Sequence, residues 1–252
     1  MRNPRAQPVS ATHATTVLTI EVSKIIDYHQ ILQCPADQLC CHRAKVMLHY
    51  DVVAPFRVLQ EEASKQGFDL SIASAYRSLD RQAAIWNDKV QGLRAVLDDN
   101  SEAIDVLLLA PLERIEKIMR WSALPGTSRH HWGSDIDIYD RSAIAEDYKL
   151  QLTESEYSHG GPFAPMIDWL NTYLGSDSSP DFFFPYTQDR GGVMPEPWHL
   201  SYRPVAEQFQ ALWSVKTLAA FIRQFDILEK DAILANLDYL YSRFIKASIM
   251  AV

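Results

Sequence analysis

The sequence predicts an α+β protein, with a small antiparallel sheet flanked by helices and amphipathic helices closing the chain. Three observations lead there. Helix-period segments dominate the first half, and short alternating segments joined by turns follow from about residue 135. After Pro204 apolar residues again recur at three-to-four spacing. With 252 residues, the chain is one large domain or a domain with appendages, because single cores stop growing near ~250–300 residues. The expected division is a loosely held arm over 1–16, a main domain over 17–203 and a helical extension over 204–252.

Residues 1–16 mix Pro, Ser, Thr and Ala with little apolar content, and a short strand is expected at Val17–Val22. From Lys45 to Lys65 the residues Val46, Met47, Val52, Val53, Phe56, Val58 and Leu59 recur at helical spacing. Pro55 then demands a kink or two abutting helices, and Gly67 a stop. Phe68–Tyr76 alternates as a strand. Ser78 reads as the N-cap of a helix over Leu79–Gln91, with Gly92 at its end. Leu93–Leu109 is a further helix candidate, and Pro111 opens another that runs to about Trp121.

Pro125-Gly126-Thr127 forms a turn that leads into Ser128–Asp137, whose last residues begin the alternating strand Ile136-Asp137-Ile138-Tyr139. Tyr157–Pro162 reads as a loop, Ala164–Leu174 as a helix stopped by Gly175, and Asp181–Tyr186 as an aromatic strand. Gly191-Gly192 turns the chain, and Glu196–Tyr202 returns extended, with Pro197 implying an edge strand or the mouth of one. Two amphipathic helices follow, around Leu212–Ile222 and Ile233–Ile249, packed on the main domain, on a partner or on a second copy of the chain.

Hydrophobic residues make up 47% of the chain and charged residues 22%, values ordinary for a globular protein. A net charge of −8 argues against non-specific nucleic-acid binding, which needs basic surface. Cys34, Cys40 and Cys41 are odd in number and tightly clustered, so they do not form a disulfide framework. With His42 they fit no standard zinc spacing. No stretch reaches the ~20 apolar residues that span a bilayer. Val17-Leu18-Thr19-Ile20, ended by Glu21, is too short for a signal-peptide core. On that reading the protein is cytoplasmic, with the periplasm or cell envelope as the alternative.

The chemistry gathers around His130 and Asp137. A His before a tight glycine turn and an Asp on the following strand can aim at one point, and zinc is the expected occupant. A catalytic zinc has three protein ligands and an open position for water. The best third ligand is His199, and Glu196, three residues earlier, is the candidate general base. On an extended segment residues three apart face opposite sides, so Pro197 or a bulge must bend the chain for both to reach the metal. His131 and His159 compete with His130, and Asp137 beside Asp135 also reads as ordinary strand-face charge.

Ser128-x-His130-x-x-Gly133-x-Asp135-x-Asp137 followed by Glu196-x-Trp198-His199 closely resembles the D-alanyl-D-alanine carboxypeptidase/dipeptidase family of zinc peptidases, the VanY-like group. Its pattern is SxHxxGxAxD and then ExWH. Ser74-Ala75-Tyr76-Arg77-Ser78-x-x-x-Gln82 is similar to a third motif of that family, and the resemblance spans about Lys45 to Tyr202. It implies His130, Asp137 and His199 as zinc ligands and Glu196 as catalytic base. It also implies Arg77 on the substrate carboxylate or the oxyanion, with Ser128 and Gln82 lining the substrate site. Residues 17–203 would then be the catalytic domain.

The implied activity is removal of the C-terminal residue from peptidoglycan peptides by metal-activated water. The same chemistry admits an L,D-carboxypeptidase, a D,D-dipeptidase or a cell-wall endopeptidase, although Arg77 favours substrates with a free carboxylate. A non-catalytic zinc-containing module that binds peptidoglycan is the reading from another class, and retention of Glu196 with Arg77 speaks against it. Asp135 departs from the family pattern, which has a small residue there. Period-two geometry puts it on the face of Asp137, where it is expected to orient a ligand His.

Overall fold

The computed structural model describes Ile25–Asp27 and residues 46–246. The expected arm over 1–16, the strand at Val17–Val22 and the three cysteines lie outside the described residues. Strand β1 (Ile25–Asp27) pairs antiparallel with β2 (Met47–His49). The helix expected from Lys45 therefore begins only at Tyr50. The reason lies in the backbone: the His49 N–H donates to the Gly133 carbonyl at 3.0 Å, and the Met47 carbonyl accepts from the Tyr76 N–H at 3.0 Å. Both bonds commit the segment to an extended form. Helix α1 (Tyr50–Lys65) runs through Pro55. Losing one helical bond there costs about 3 kcal/mol, whereas burial of Val52, Val53, Phe56 and Leu59 contributes roughly 1.5–3 kcal/mol for each large side chain.

Strand β3 (Leu70–Ser74) leads into α2 (Leu79–Val90), whose N-cap Ser78 accepts from the Arg81 N–H at 3.2 Å, as the sequence predicts. The helix expected over Leu93–Leu109 is absent. In its place stand a hairpin of β4 (Val96–Leu97) and β5 (Ala103–Ile104) and a 3₁₀ turn over Val106–Leu108. Asp98 accounts for the hairpin. Its carboxylate accepts from the backbone of Asn100 at 2.8 Å and Glu102 at 2.9 Å, while Ser101 adopts φ +66°. Side-chain bonds of this kind divert the backbone from a helix. Helix α3 (Pro111–Trp121) opens on Pro111 as expected.

The main sheet is antiparallel, in the order β3, β6 (Asp135–Asp140), β8 (His199–Tyr202), β7 (Phe182–Phe183). The aromatic strand expected over Asp181–Tyr186 is thus shorter, because Pro185 cannot donate to the ladder. Strand β8 is interior, which corrects the edge-strand reading, and Pro197 stands at its mouth, outside the ladder. Helices α4 (Glu154–Tyr157) and α5 (Ala164–Tyr173) lie between β6 and β7, so Tyr157 closes a helical turn where a loop was expected.

After β8 come α6 (Arg203–Gln210), α7 (Val215–Gln224), α8 (Lys230–Ala235), α9 (Leu237–Leu240) and a π-helical turn over Tyr241–Lys246. The region expected to hold two helices is therefore divided further, and the last of them breaks at Asn236. Among the described residues no helix is long and apolar enough to cross a membrane.

Two cores result. One joins α1, the inner residues Ile136, Ile138 and Leu200 of the sheet, and α5. The other joins Trp86 of α2 and Ile115, Ile118 and Met119 of α3 to Leu218, Ile222, Ile233, Leu237 and Leu240 of the C-terminal helices. The apolar stripe after Pro204 thus buries itself against α2 and α3. The turn before His130 touches the same helices, for Gly126 has φ +88° and a Cβ there would collide with the Phe221 ring of α7. Gly126→Ala is expected to destabilise the protein by roughly 1–3 kcal/mol, read as a lowered Tm. An unchanged Tm would mean that the turn is not held against α7.

Candidate metal centre

The sheet register brings the predicted ligands together. Asp137 on β6 stands opposite His199 on β8, and Ser74 at the end of β3 pairs with Asp137 on the other side. A register shift between Ile72 and Ser74 re-aims Ser74, whose hydroxyl donates to the Asp137 Oδ2. His130 arrives from the 3₁₀ turn Arg129–Trp132, which ends at Gly133 with φ +69°. Its Nδ1–H donates to the Ala75 carbonyl at 2.8 Å. That bond fixes the tautomer and leaves the Nε2 lone pair 3.4 Å from Asp137 Oδ2.

His199 is turned the opposite way. Its Nε2–H donates to Asp135 Oδ1 at 2.9 Å, and its Nδ1 stands 3.4 Å from Asp137 Oδ1 and 3.2 Å from Glu196 Oε2. Nδ1 is buried and makes no hydrogen bond of good geometry. One ligand atom from each of His130, Asp137 and His199 lies within 4.8 Å of the others, an arrangement that could hold a metal ion. The 3.4 Å separations run to different Asp137 oxygens, Oδ2 from His130 and Oδ1 from His199, and each is close to the edge of a tetrahedron with metal–ligand bonds of ~2.0–2.2 Å. The orphaned Nδ1 and the donor set of two imidazoles and one carboxylate both fit such an ion.

Of the competing histidines, His131 has other partners and His159 faces solvent. His131 donates from Nδ1 to the Arg77 carbonyl at 2.6 Å and accepts at Nε2 from the Gly126 N–H at 3.2 Å. Burial lowers its pKa to about 4, so it stays neutral and works as a spacer between the Arg77 and Gly126 backbones. His159 is exposed in the turn after α4.

Asp135 is fully buried. Besides His199, its carboxylate accepts from Arg129 Nε at 2.7 Å, Ser134 Oγ at 2.5 Å and Ser201 Oγ at 3.1 Å. Burial alone would raise the carboxyl, but Arg129 and His199 hold it below the usual range. For Asp137 burial acts the same way and His130 and His199 outweigh it, keeping the carboxyl well below its ordinary value. Burial would lower His199, yet Asp135, Asp137 and Glu196 hold it well above its ordinary value. The cluster attracts positive charge.

Arg129 was missed by the sequence reading. Its guanidinium is buried, bonds Ser201 Oγ at 2.7 Å as well as Asp135, and lies 4.7 Å above the Trp132 ring. The available signal was Asp135 itself, since a buried acid needs a nearby cation.

A cleft of about 240 Å³ opens over this cluster. Its walls include Arg77, Trp121, Ser128, Tyr186, Glu196 and Trp198. Arg77 follows β3, and its backbone N–H donates to the His130 carbonyl at 3.1 Å. Its Nη1 donates to Gln82 Oε1 at 2.9 Å, while Gln82 Nε2 donates to the Ala123 carbonyl at 2.7 Å. Gln82 is fully buried. It stands behind Arg77 and steadies it, in place of the position on the substrate wall expected from sequence.

Residues 45–205 match the VanY family model, described as D-alanyl-D-alanine carboxypeptidase. An uncharacterized protein of Haemophilus influenzae strain Rd is 33% identical over 124 residues, 48% of this chain and 92% of its own length. Among solved structures, VanYB in complex with D-alanine-D-alanine is 18% identical with a TM-score of 0.44, over 72% of this chain and 86% of that one. The LdcB LD-carboxypeptidase is 19% identical with a TM-score of 0.47, over 88% and 78%.

Asp135→Asn removes the charge that orients His199 and is expected to weaken divalent-metal binding by about 10–100-fold. Competition against a chromophoric chelator measures it, and an unchanged affinity would show that His199 needs no such partner.

Proposed function

The chain belongs to the VanY family of D-alanyl-D-alanine carboxypeptidases, and on that premise we propose that it is a zinc-dependent carboxypeptidase acting on peptidoglycan peptides. The observation that carries this reading is the convergence of His130 Nε2, Asp137 and the orphaned His199 Nδ1, with a second carboxylate, Glu196, 3.2 Å from that nitrogen. His130, Asp137 and His199 would hold the ion and Asp135 would keep His199 in register. Bound there, zinc would supply a Lewis acid for the scissile carbonyl and a water acidified toward pKa ~7.

The chain's own residues do the rest. Glu196 is a cleft residue with its carboxylate beside the ligand cluster. There it can take a proton from the attacking water and return it to the leaving amine. Arg77 presents a guanidinium into the same cleft, held by Gln82, and takes the free C-terminal carboxylate of the peptide. Burial lowers the Arg77 pKa, opposed by Asp137 and Glu196, but guanidinium remains charged at any working pH. Ser128 lines the site and supports the peptide backbone, while Trp121, Tyr186 and Trp198 narrow the opening against water. At about 240 Å³ the cleft is small among ligand sites, which suits the end of a short peptide better than a folded chain.

Purified protein is expected to release the terminal residue from a pentapeptide ending in D-Ala-D-Ala, and to lose that activity to a chelator. Release from a tetrapeptide alone would redirect the reading to an L,D-carboxypeptidase, and release of intact D-Ala-D-Ala to a dipeptidase. Glu196→Gln should lower kcat by at least about 10²-fold, the scale of general-base catalysis, with zinc binding preserved. Turnover unaffected by that substitution would sink the mechanism. Arg77→Met should lower kcat/KM for the free acid far more than for the C-terminal amide, and an equal fall on both would remove Arg77 from carboxylate recognition.

A further inference from the structure

The segment 187–195 leaves the Tyr186 wall of the cleft and returns to it at Glu196, and the Glu196 N–H donates to the Tyr186 carbonyl at 2.9 Å to close its base. Tyr186, Val193 and Glu196 all line the cleft, so the position of this loop sets one wall and the carboxylate of Glu196. No strand pairing holds the loop. Two arginines do.

Arg120, in the last turn of α3 and only 4% exposed, takes the inner side. Its Nη1 and Nη2 donate to the two carboxylate oxygens of Asp189 at 2.9 and 2.6 Å, Nη1 donates to the Gly192 carbonyl at 2.5 Å, and Nη2 meets the Met194 sulfur. Nε donates to Asp99 at 3.0 Å, and the Arg120 carbonyl accepts from the Met194 N–H at 2.9 Å. Hydrogen bonding from Arg120 holds the Asp189 carboxyl down at about 2.

Arg243, on the C-terminal π-turn, takes the outer side. Its Nε donates to the Gly191 carbonyl at 2.6 Å, and its Nη1 reaches both Glu116 and the Tyr239 hydroxyl, which itself donates to Glu116. Gly192 packs so closely that a Cβ would strike the Arg243 carbonyl oxygen. Glu116 and Arg120 are one turn apart on α3, so a single helix anchors both arginines. The residues that follow in the same chain, Trp121, Ser122 and Ala123, also line the cleft.

We propose that Arg120 and Arg243 are positioning residues for the peptidase reaction, clasping loop 187–195 between α3 and the C-terminal π-turn and so fixing Glu196 against His130, Asp137 and His199. This rests on the reading of Glu196 as the base. It gives the C-terminal helices a part in turnover although none of their described residues lines the cleft. The planar fork of Arg120 grips both Asp189 oxygens at once, a geometry lysine cannot reproduce. The partly exposed Arg243 is the substitution the fold tolerates better.

The test uses the full zinc-loaded chain, with Arg243→Met, Arg243→Lys and Arg120→Lys compared with the parent well below their melting temperatures. Displacing a reacting group by about an ångström costs up to about 100-fold in rate. The expected result is a fall in kcat of about ten- to hundredfold, with KM and bound zinc within about twofold of the parent. Partial recovery is expected in Arg243→Lys relative to Arg243→Met. Hydrogen exchange should show lost protection at the Met194 and Glu196 amides. A folded Arg243→Met with the parent's kcat and unchanged exchange overturns the clasp, whether or not Arg120→Lys folds. Absence of turnover in the parent instead overturns the peptidase reading. The exchange measurement then still decides the clasp, with unchanged protection refuting it.

Discussion

Burying a carboxylate is unfavourable unless cations and hydrogen-bond donors meet its charge, and β6 buries two of them, Asp135 and Asp137, on one face. Much of the surrounding structure answers that constraint. Asp135 is met by Arg129, Ser134, Ser201 and His199, and Asp137 by Ser74, His130 and His199. These partners come from β3, the 3₁₀ turn, the residue before β6, and β8. Satisfying two acids thus requires strands β3, β6 and β8 to be in register and the turn to be closed over them. His199 is shared between the two acids, so its orientation is set from both sides.

The same constraint explains why the site accumulates negative charge. Arg129 is tied to Asp135, Asp137 is met by Ser74, His130 and His199, and the Arg77 guanidinium acts on both Asp137 and Glu196. His199 is held well above its ordinary pKa by Asp135, Asp137 and Glu196, and the donor set of two imidazoles and one carboxylate fits a divalent cation. Asp135, the residue at which this sequence departs from the family pattern, is then coherent with its neighbours. The acid, the arginine six residues before it and the serines beside it form one buried unit behind His199.

The two cores meet the cleft from different directions. The sheet and the 3₁₀ turn before β6 supply His130, Asp137 and His199, while α2 and α3 supply Gln82 behind Arg77 and the Trp121–Ala123 wall. The C-terminal helices complete the second core, touch the turn at Gly126 and reach loop 187–195 through Arg243. The halves of the cleft are therefore joined both by backbone bonds, such as Arg77 to His130, and by side chains reaching across from α3.

By itself the sequence determined the elements whose cause is local: the Ser78 cap, the Pro111 start, the alternation of Ile136–Tyr139 and the α+β class. It also singled out His130, Asp137 and His199 by residue type and motif. What it could not determine were features set by partners distant along the chain. The hairpin within 93–109 has a local cause that helical periodicity masked, the capture of the Asn100 and Glu102 N–H groups by Asp98, whereas Met47–His49 is a strand because Gly133 and Tyr76 bond it. Likewise β8 is interior, because β7 pairs with it beyond Pro197. Asp135 was expected to orient a ligand His, but only the tertiary structure chose His199 as that residue, put Arg129 beside the acid and placed Gln82 behind Arg77. Each of those choices depends on which buried polar group lies within hydrogen-bond reach, a quantity that spacing along the chain does not contain.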